Sequence, residues 1–173
     1  MRVRLAALAV SAVLLASCAN QESAEVADKA IELQSILGEA IEMGAIVAAE
    51  PSIPPDDPVV AYGQGLGDAL GPHVDDLGAA FARLAKNGTD GFAHEDGDED
   101  EHTAGGGQLN QLLAAPADQL VTGFRSLMPA VLDDCATAAA EVAAAATDNG
   151  LQDIAARARQ ACQAEAGRLA SLG

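Results

Sequence analysis

The chain has no tryptophan, one tyrosine and three phenylalanines in 173 residues. Tyr62, Phe81, Phe92 and Phe124 are too few to build the aromatic platforms on which bases or sugars stack. Basic residues are scarce as well: nine Lys and Arg stand against 26 Asp and Glu, a net charge of −17. Such a surface repels phosphate backbones and anionic headgroups, which excludes nucleic acid as a partner. No run of alternating β-formers is convincing, and no apolar run reaches the about 20 residues that span a bilayer. Catalytic signatures are missing too. None of the seven serines sits in a G-x-S-x-G elbow, and H-E-x-x-H and the C-x-x-C-H of covalent haem attachment do not occur. These absences lead to the expectation of a non-enzymatic protein with no cofactor.

What is present begins at the N-terminus. Arg2 and Arg4 precede an apolar run from Leu5 to Leu15, and small residues follow, the build of a secretory signal. The run closes in Leu15-Ala16-Ser17-Cys18, which resembles the lipobox of bacterial lipoproteins. The resemblance covers residues 1–18 only. It implies that residues 1–17 are a removed signal peptide and that Cys18 becomes the first residue, diacylated through sulfur and usually N-acylated. The other reading is a plain secretion signal with a chance cysteine. Two or three acyl chains at ~0.8 kcal/mol per buried methylene anchor a protein durably. The implied location is the extracytoplasmic side of the bacterial cell envelope, on the cell membrane or, in a two-membrane organism, the outer membrane. Ala19, where Asp is absent, is compatible with outer-membrane sorting. Residues 18–173 would form one domain with a real core, and seven basic against 26 acidic residues would leave it at a net charge of −19.

Of the three cysteines, Cys18 is taken by the anchor, so Cys135 and Cys162 remain as a pair in an oxidising compartment. Their midpoint falls in Thr147-Asp148-Asn149-Gly150, the plainest turn signal of the C-terminal half. Two antiparallel helices joined there place the cysteines side by side. The same register opposes Met128 to Leu169, Val142 to Ala155 and Ala146 to Leu151, all apolar pairs. A redox or metal-binding thiol pair is the alternative, but the C-x-x-C spacing that tunes such thiols is missing.

The rest reads as helix. From about Glu22 to Ala49, Val26, Ala30, Leu33, Leu37, Ala40, Gly44 and Val47 recur at three- and four-residue steps, widened by Ile36 and Met43. Glu25, Asp28, Glu32, Glu39 and Glu42 form a second, acidic face. It is either a solvated face or a surface for a basic partner. Asn20 is the expected cap. After Pro51-Ser52-Ile53-Pro54-Pro55, Asp57-Pro58 reads as a cap with proline in the first helical position. Gly63, Gly67 and Gly71, four apart, suggest a ladder that admits a neighbouring backbone. As a phosphate loop the segment fails, because Asp68 stands where a third fingerprint glycine belongs. A break is expected at Gly71-Pro72, with Val74, Leu77, Phe81 and Leu84 inward from His73 to Lys86. His73 is a bare candidate for a haem ligand, though a lone helical histidine is ordinarily structural. Helix resumes over Leu109–Leu113 and from Pro116 to Ala146, where Pro129 should bend or divide it. The last helix runs from about Leu151 to Leu172, its Arg157, Arg159 and Arg168 set to meet acids on neighbouring helices.

Residues 87–107 are different material, rich in glycine and acid and without periodicity. A connection of about 20 residues is long for a compact domain. Within it, His94 and His102 bracket Glu95, Asp96, Asp98, Glu99, Asp100 and Glu101. The carboxylates suit calcium, and the two imidazoles with a carboxylate suit zinc or copper. It is not an EF-hand, since Glu101 stands at the glycine position. A solvated, disordered acidic spacer is the competing reading. The expectation is therefore an all-α, antiparallel bundle of four or five helices with a disulfide-bridged C-terminal hairpin. Its first functional reading is a lipid-anchored cell-envelope module that binds or scaffolds another, possibly basic, protein. The alternative is a metal-binding lipoprotein that holds a divalent ion on 94–102.

Overall fold

The structure, a computed structural model, describes residues 22–86 and 106–172. They form five α-helices: α1 (Ala24–Ala49), α2 (Pro58–Lys86), α3 (Gly106–Leu113), α4 (Leu120–Ala145) and α5 (Asn149–Ala170), with a 3-10 turn at Ala117–Gln119. No strand occurs among the described residues. α1 packs on α2 and α4, and α5 packs on α4 and α2, so the order around the bundle is α1, α2, α5, α4. Cross-links between helix ends give the directions. Lys29 near the start of α1 meets Glu141 near the end of α4. Tyr62 near the start of α2 meets Glu165 near the end of α5, while Arg83 near the end of α2 meets Asp148 just before α5. Every neighbouring pair is antiparallel. α2 and α4 consequently run the same way, with the end of α2 and the start of α4 at opposite ends of the bundle, the one-crossover variant of a four-helix bundle. The short α3, between them in sequence, lies against α4 and α1.

The apolar stripes become the core. On α1, Val26, Ala30, Leu33, Ile36, Leu37, Ala40, Met43, Gly44 and Val47 are all buried. On α4 and α5 every member of the expected register is buried, and Cys135 and Cys162 are joined, with their Cα atoms 6.2 Å apart. Asp148 accepts the Leu151 N–H at 2.7 Å and so caps α5, which therefore starts at Asn149 inside the expected turn. Asp57 caps α2 as expected, accepting from Val59 N at 2.9 Å.

Three local expectations are overturned. The cap of α1 is Ser23, whose extended backbone lets its hydroxyl accept from Val26 N, and Asn20 lies outside the described residues. α2 continues through Pro72 without the expected break, and of the bend or division expected at Pro129 the division does not occur, since α4 continues through it. Both prolines are exposed, so the carbonyl each leaves without its N–H partner can turn to water, while buried Leu66, Leu70, Leu77 and Leu84 on α2 hold the helix to the core. The glycine ladder is a single contact. At Gly63 the backbones of α1 and α2 meet: a Cβ there would lie 2.5 Å from the carbonyl oxygen of Gly44. Gly67 and Gly71 have nothing within 4 Å of the same position.

A groove lined by carboxylates

Between α1 and α4, beside α3, lies a groove of about 300 Å³. Glu32 and Glu39 come from α1, Asp134 and Glu141 from α4, and Gln108 from α3, over a floor that includes Ile36, Val131 and Ala138. Helical spacing sets these positions. Glu32 and Glu39 are seven apart on α1, and Asp134 and Glu141 are seven apart on α4, so each pair shares one side of its helix two turns apart. Because α1 and α4 are antiparallel, the two pairs line opposite walls.

The four carboxylates do different things. Glu39, expected on the solvated acidic face, is instead buried at 6% exposure. Its Oε1 accepts the Leu109 N–H at 2.8 Å, so it satisfies an otherwise orphan donor in the first turn of α3. Burial holds its pKa above the ordinary carboxylate range, and the α3 backbone N–H groups oppose that shift. Asp134 and Glu42 raise it further by repulsion. Glu141 is bridged at 2.7 Å by Lys29, which also lies 3.9 Å from Glu25. Glu32 and Asp134 are exposed. The groove thus presents an uneven negative surface with one lysine at its edge. Such a wall can attract cationic side chains through field and hydrogen bonding.

A second buried carboxylate closes the opposite end of α1. Glu22, 5% exposed, accepts from Thr147 N at 2.6 Å, from the Thr147 hydroxyl at 3.2 Å and from Asp148 N. Its other oxygen has no partner among the described residues. Glu165, the third buried acid, pairs with Arg168 at 2.8 Å. Arg168 lies over the ring of Tyr62, 5.6 Å from its centroid, and Tyr62 meets Phe124 edge-on at 6.1 Å. The Tyr62 hydroxyl donates to the carbonyl of Glu165, and burial pushes its pKa well up.

The other candidate residues divide. Arg157 does reach a neighbouring helix, pairing with Asp76 at 3.0 Å, whereas Arg168 pairs within its own helix. Arg159 lines a shallow depression with Asp133 and Gln163. His73 is partly buried, with its Nδ1 unpartnered and its pKa lowered chiefly by burial. No group of three His, Cys, Asp or Glu able to hold a metal occurs among the described residues. Cys18 and the His94–His102 segment, with Glu95, Asp96, Asp98, Glu99, Asp100 and Glu101, lie outside them. Sequence reasoning missed the groove and the Glu22 contact. The signal for Glu39 was its place beside Ala40 and three residues after Ile36, at the margin of the widened apolar stripe. No family model matches the chain, and neither a curated protein nor a solved structure does.

Proposed function

We propose that this chain is a lipid-anchored, non-enzymatic module of the bacterial cell envelope that binds or scaffolds a basic partner protein through its acidic surface. The observation that carries the reading is the groove, where Glu32 and Asp134 stay exposed on opposite walls while Glu39 accepts from the α3 backbone and Glu141 from Lys29. The lipobox-like Leu15-Ala16-Ser17-Cys18 supplies the anchor. A negative groove on a tethered body favours cationic ligands that meet it at the membrane, with an attraction that salt weakens over the ~8 Å screening length of physiological buffer.

Two measurements test it. Cys18→Ser should abolish incorporation of labelled palmitate and partition into detergent; unchanged labelling removes the anchor. Pull-down from detergent-solubilised membranes should recover a stoichiometric, basic, salt-sensitive partner that survives chelator and is lost with Glu32→Gln/Asp134→Asn. Retention of that partner by the double variant would exclude the groove as the binding surface, and loss of the partner to chelator would favour a metal-dependent role.

A further inference from the structure

The contact made by Glu22 places the tether. Residue 22 is four positions from Cys18, so the segment between them spans at most about 14 Å even when fully extended. Glu22 itself is fixed to the bundle, its carboxylate accepting from Thr147 and Asp148 in the turn between α4 and α5. A body whose α1 alone is 26 residues long, about 39 Å at the helical rise, is therefore held by a short leash at one end. From these contacts we infer that the bundle stands on the membrane on its α4–α5 turn end, with Glu22 as the clamp that ties the lipidated N-terminus to that end. This rests on the anchor reading given above.

The chemistry of the two ends agrees. Both lysines of the chain, Lys29 and Lys86, belong to the tether half, with Arg83 beside them. Arg83 occupies Asp148 through two hydrogen bonds, and Lys29 bridges Glu25 and Glu141. The exposed residues of the turn, Thr147, Asn149 and Gly150, are uncharged, which leaves Asp28 and Asp153 as the exposed acids of that end with no ion pair among the described residues. The opposite end carries Glu50, Asp56, Asp57 and Asp118 in its connections, set against the helix-borne Arg125 and Arg168. Basic residues near anionic headgroups are attracted and acids are repelled within a screening length. An end-on stance also keeps the groove wall at Glu32 and Glu39, which lies further along α1, away from the lipid surface.

The absence of tryptophan makes the test clean. Single tryptophans are introduced in the full chain at exposed positions of the two ends, Asn149→Trp and Ser52→Trp. The acylated protein from a bacterial host is then reconstituted in vesicles whose headgroups carry a spin-label quencher. Asn149→Trp should be quenched severalfold more than Ser52→Trp. Adding Glu22→Ala frees more of the leash and should move that ratio toward one without inverting it, with helicity checked by circular dichroism. Acylated protein with a ratio at or below one overturns the stance, and a ratio unmoved by Glu22→Ala overturns the clamp. Mass spectrometry of the same preparations decides the premise separately: an unacylated N-terminal peptide removes the anchor reading and the stance with it.

Discussion

Gly63 and Gly67 lie one turn apart on α2, and the same substitution should move stability in opposite directions at the two sites. Alanine in place of a helical glycine stabilises by about 0.5–1 kcal/mol, because the unfolded chain loses conformational freedom. At Gly67 a new Cβ meets nothing within 4 Å. Gly67→Ala should therefore raise Tm by about 2 °C for a chain of this size. At Gly63 the methyl would sit 2.5 Å from the Gly44 carbonyl oxygen, 3.2 Å from its carbon and 3.3 Å from its Cα. All three are backbone atoms, so no rotamer change relieves the clash. To restore ordinary contact the two helices must part by about 1 Å, which loosens packing along the interface; overpacking of this kind costs about 1–3 kcal/mol.

The separation moves a whole helix rather than one side chain, so the upper part of that range applies and the propensity gain offsets only a fraction. Net destabilisation of Gly63→Ala should be about 1–2 kcal/mol, a Tm roughly 3–6 °C lower. Gly44→Ala meets one movable atom, Leu66 Cδ1 at 2.7 Å, and two fixed ones, the Gly63 carbonyl oxygen at 2.8 Å and its Cα at 3.2 Å. Once the first methyl has parted the helices the second enters an opened gap, so the double variant should cost less than the sum of the singles. Urea unfolding of the disulfide-intact protein, followed by circular dichroism, reads all four proteins. A Gly63→Ala variant as stable as Gly67→Ala would refute the close approach of α1 and α2.

Reducing the Cys135–Cys162 bridge, which encloses a separation of 27 residues, should lower stability by about 3.5 kcal/mol in the chain-entropy description; an unchanged urea midpoint in reductant would contradict it. Glu39 contributes in the opposite sense to a salt-bridged acid. With its folded pKa raised by burial, stability is full below the unfolded carboxyl value of about 4.3 and declines as pH rises through the folded value. Glu39→Gln keeps an acceptor for Leu109, so it should be more stable than the parent at pH 7 and show a flatter pH profile; lower stability with an unaltered profile would argue against this. If the His94–His102 segment is a metal site, calorimetry should find zinc or copper bound with low-micromolar or tighter affinity, abolished by His94→Ala/His102→Ala, and equal affinity in that double variant would exclude the imidazoles.

The bundle was legible because its determinants are local and periodic. Every α1 residue named on the stripe is buried, with Ala27 the one apolar core residue it left out, and the cysteine register fixed the pairing of α4 with α5 from the turn residues between them. The prolines misled for a physical reason. A local rule treats a mid-helix proline as a break, but the cost depends on whether the freed carbonyl can reach water, and Pro72 and Pro129 are both exposed. Likewise, spacing alone could not tell Gly63 from Gly67, since which face of α2 meets Gly44 depends on how α1 and α2 cross. Glu22 and Glu39 were the least legible. Their roles depend on which connection lies against α1, the α4–α5 turn in one case and α3 in the other, and periodicity within α1 carries no information about that.

These two kinds of carboxylate make folding and binding experimentally separable. Glu22, Glu39 and Asp148 receive backbone N–H groups of connections or first helical turns, where loss of an acceptor leaves partly buried donors unsatisfied at about 1 kcal/mol each. Exposed Glu32 and Asp134 hold no such group, and exposed charges contribute at most about 1 kcal/mol to a fold. In a chain with 26 acids against nine bases, neutralising two exposed ones also relieves self-repulsion. Glu32→Gln/Asp134→Asn should therefore unfold at or above the parent's urea midpoint. Partner loss in that variant could then be assigned to the groove itself, whereas the same loss in Glu22→Ala would have to be weighed against a weakened bundle.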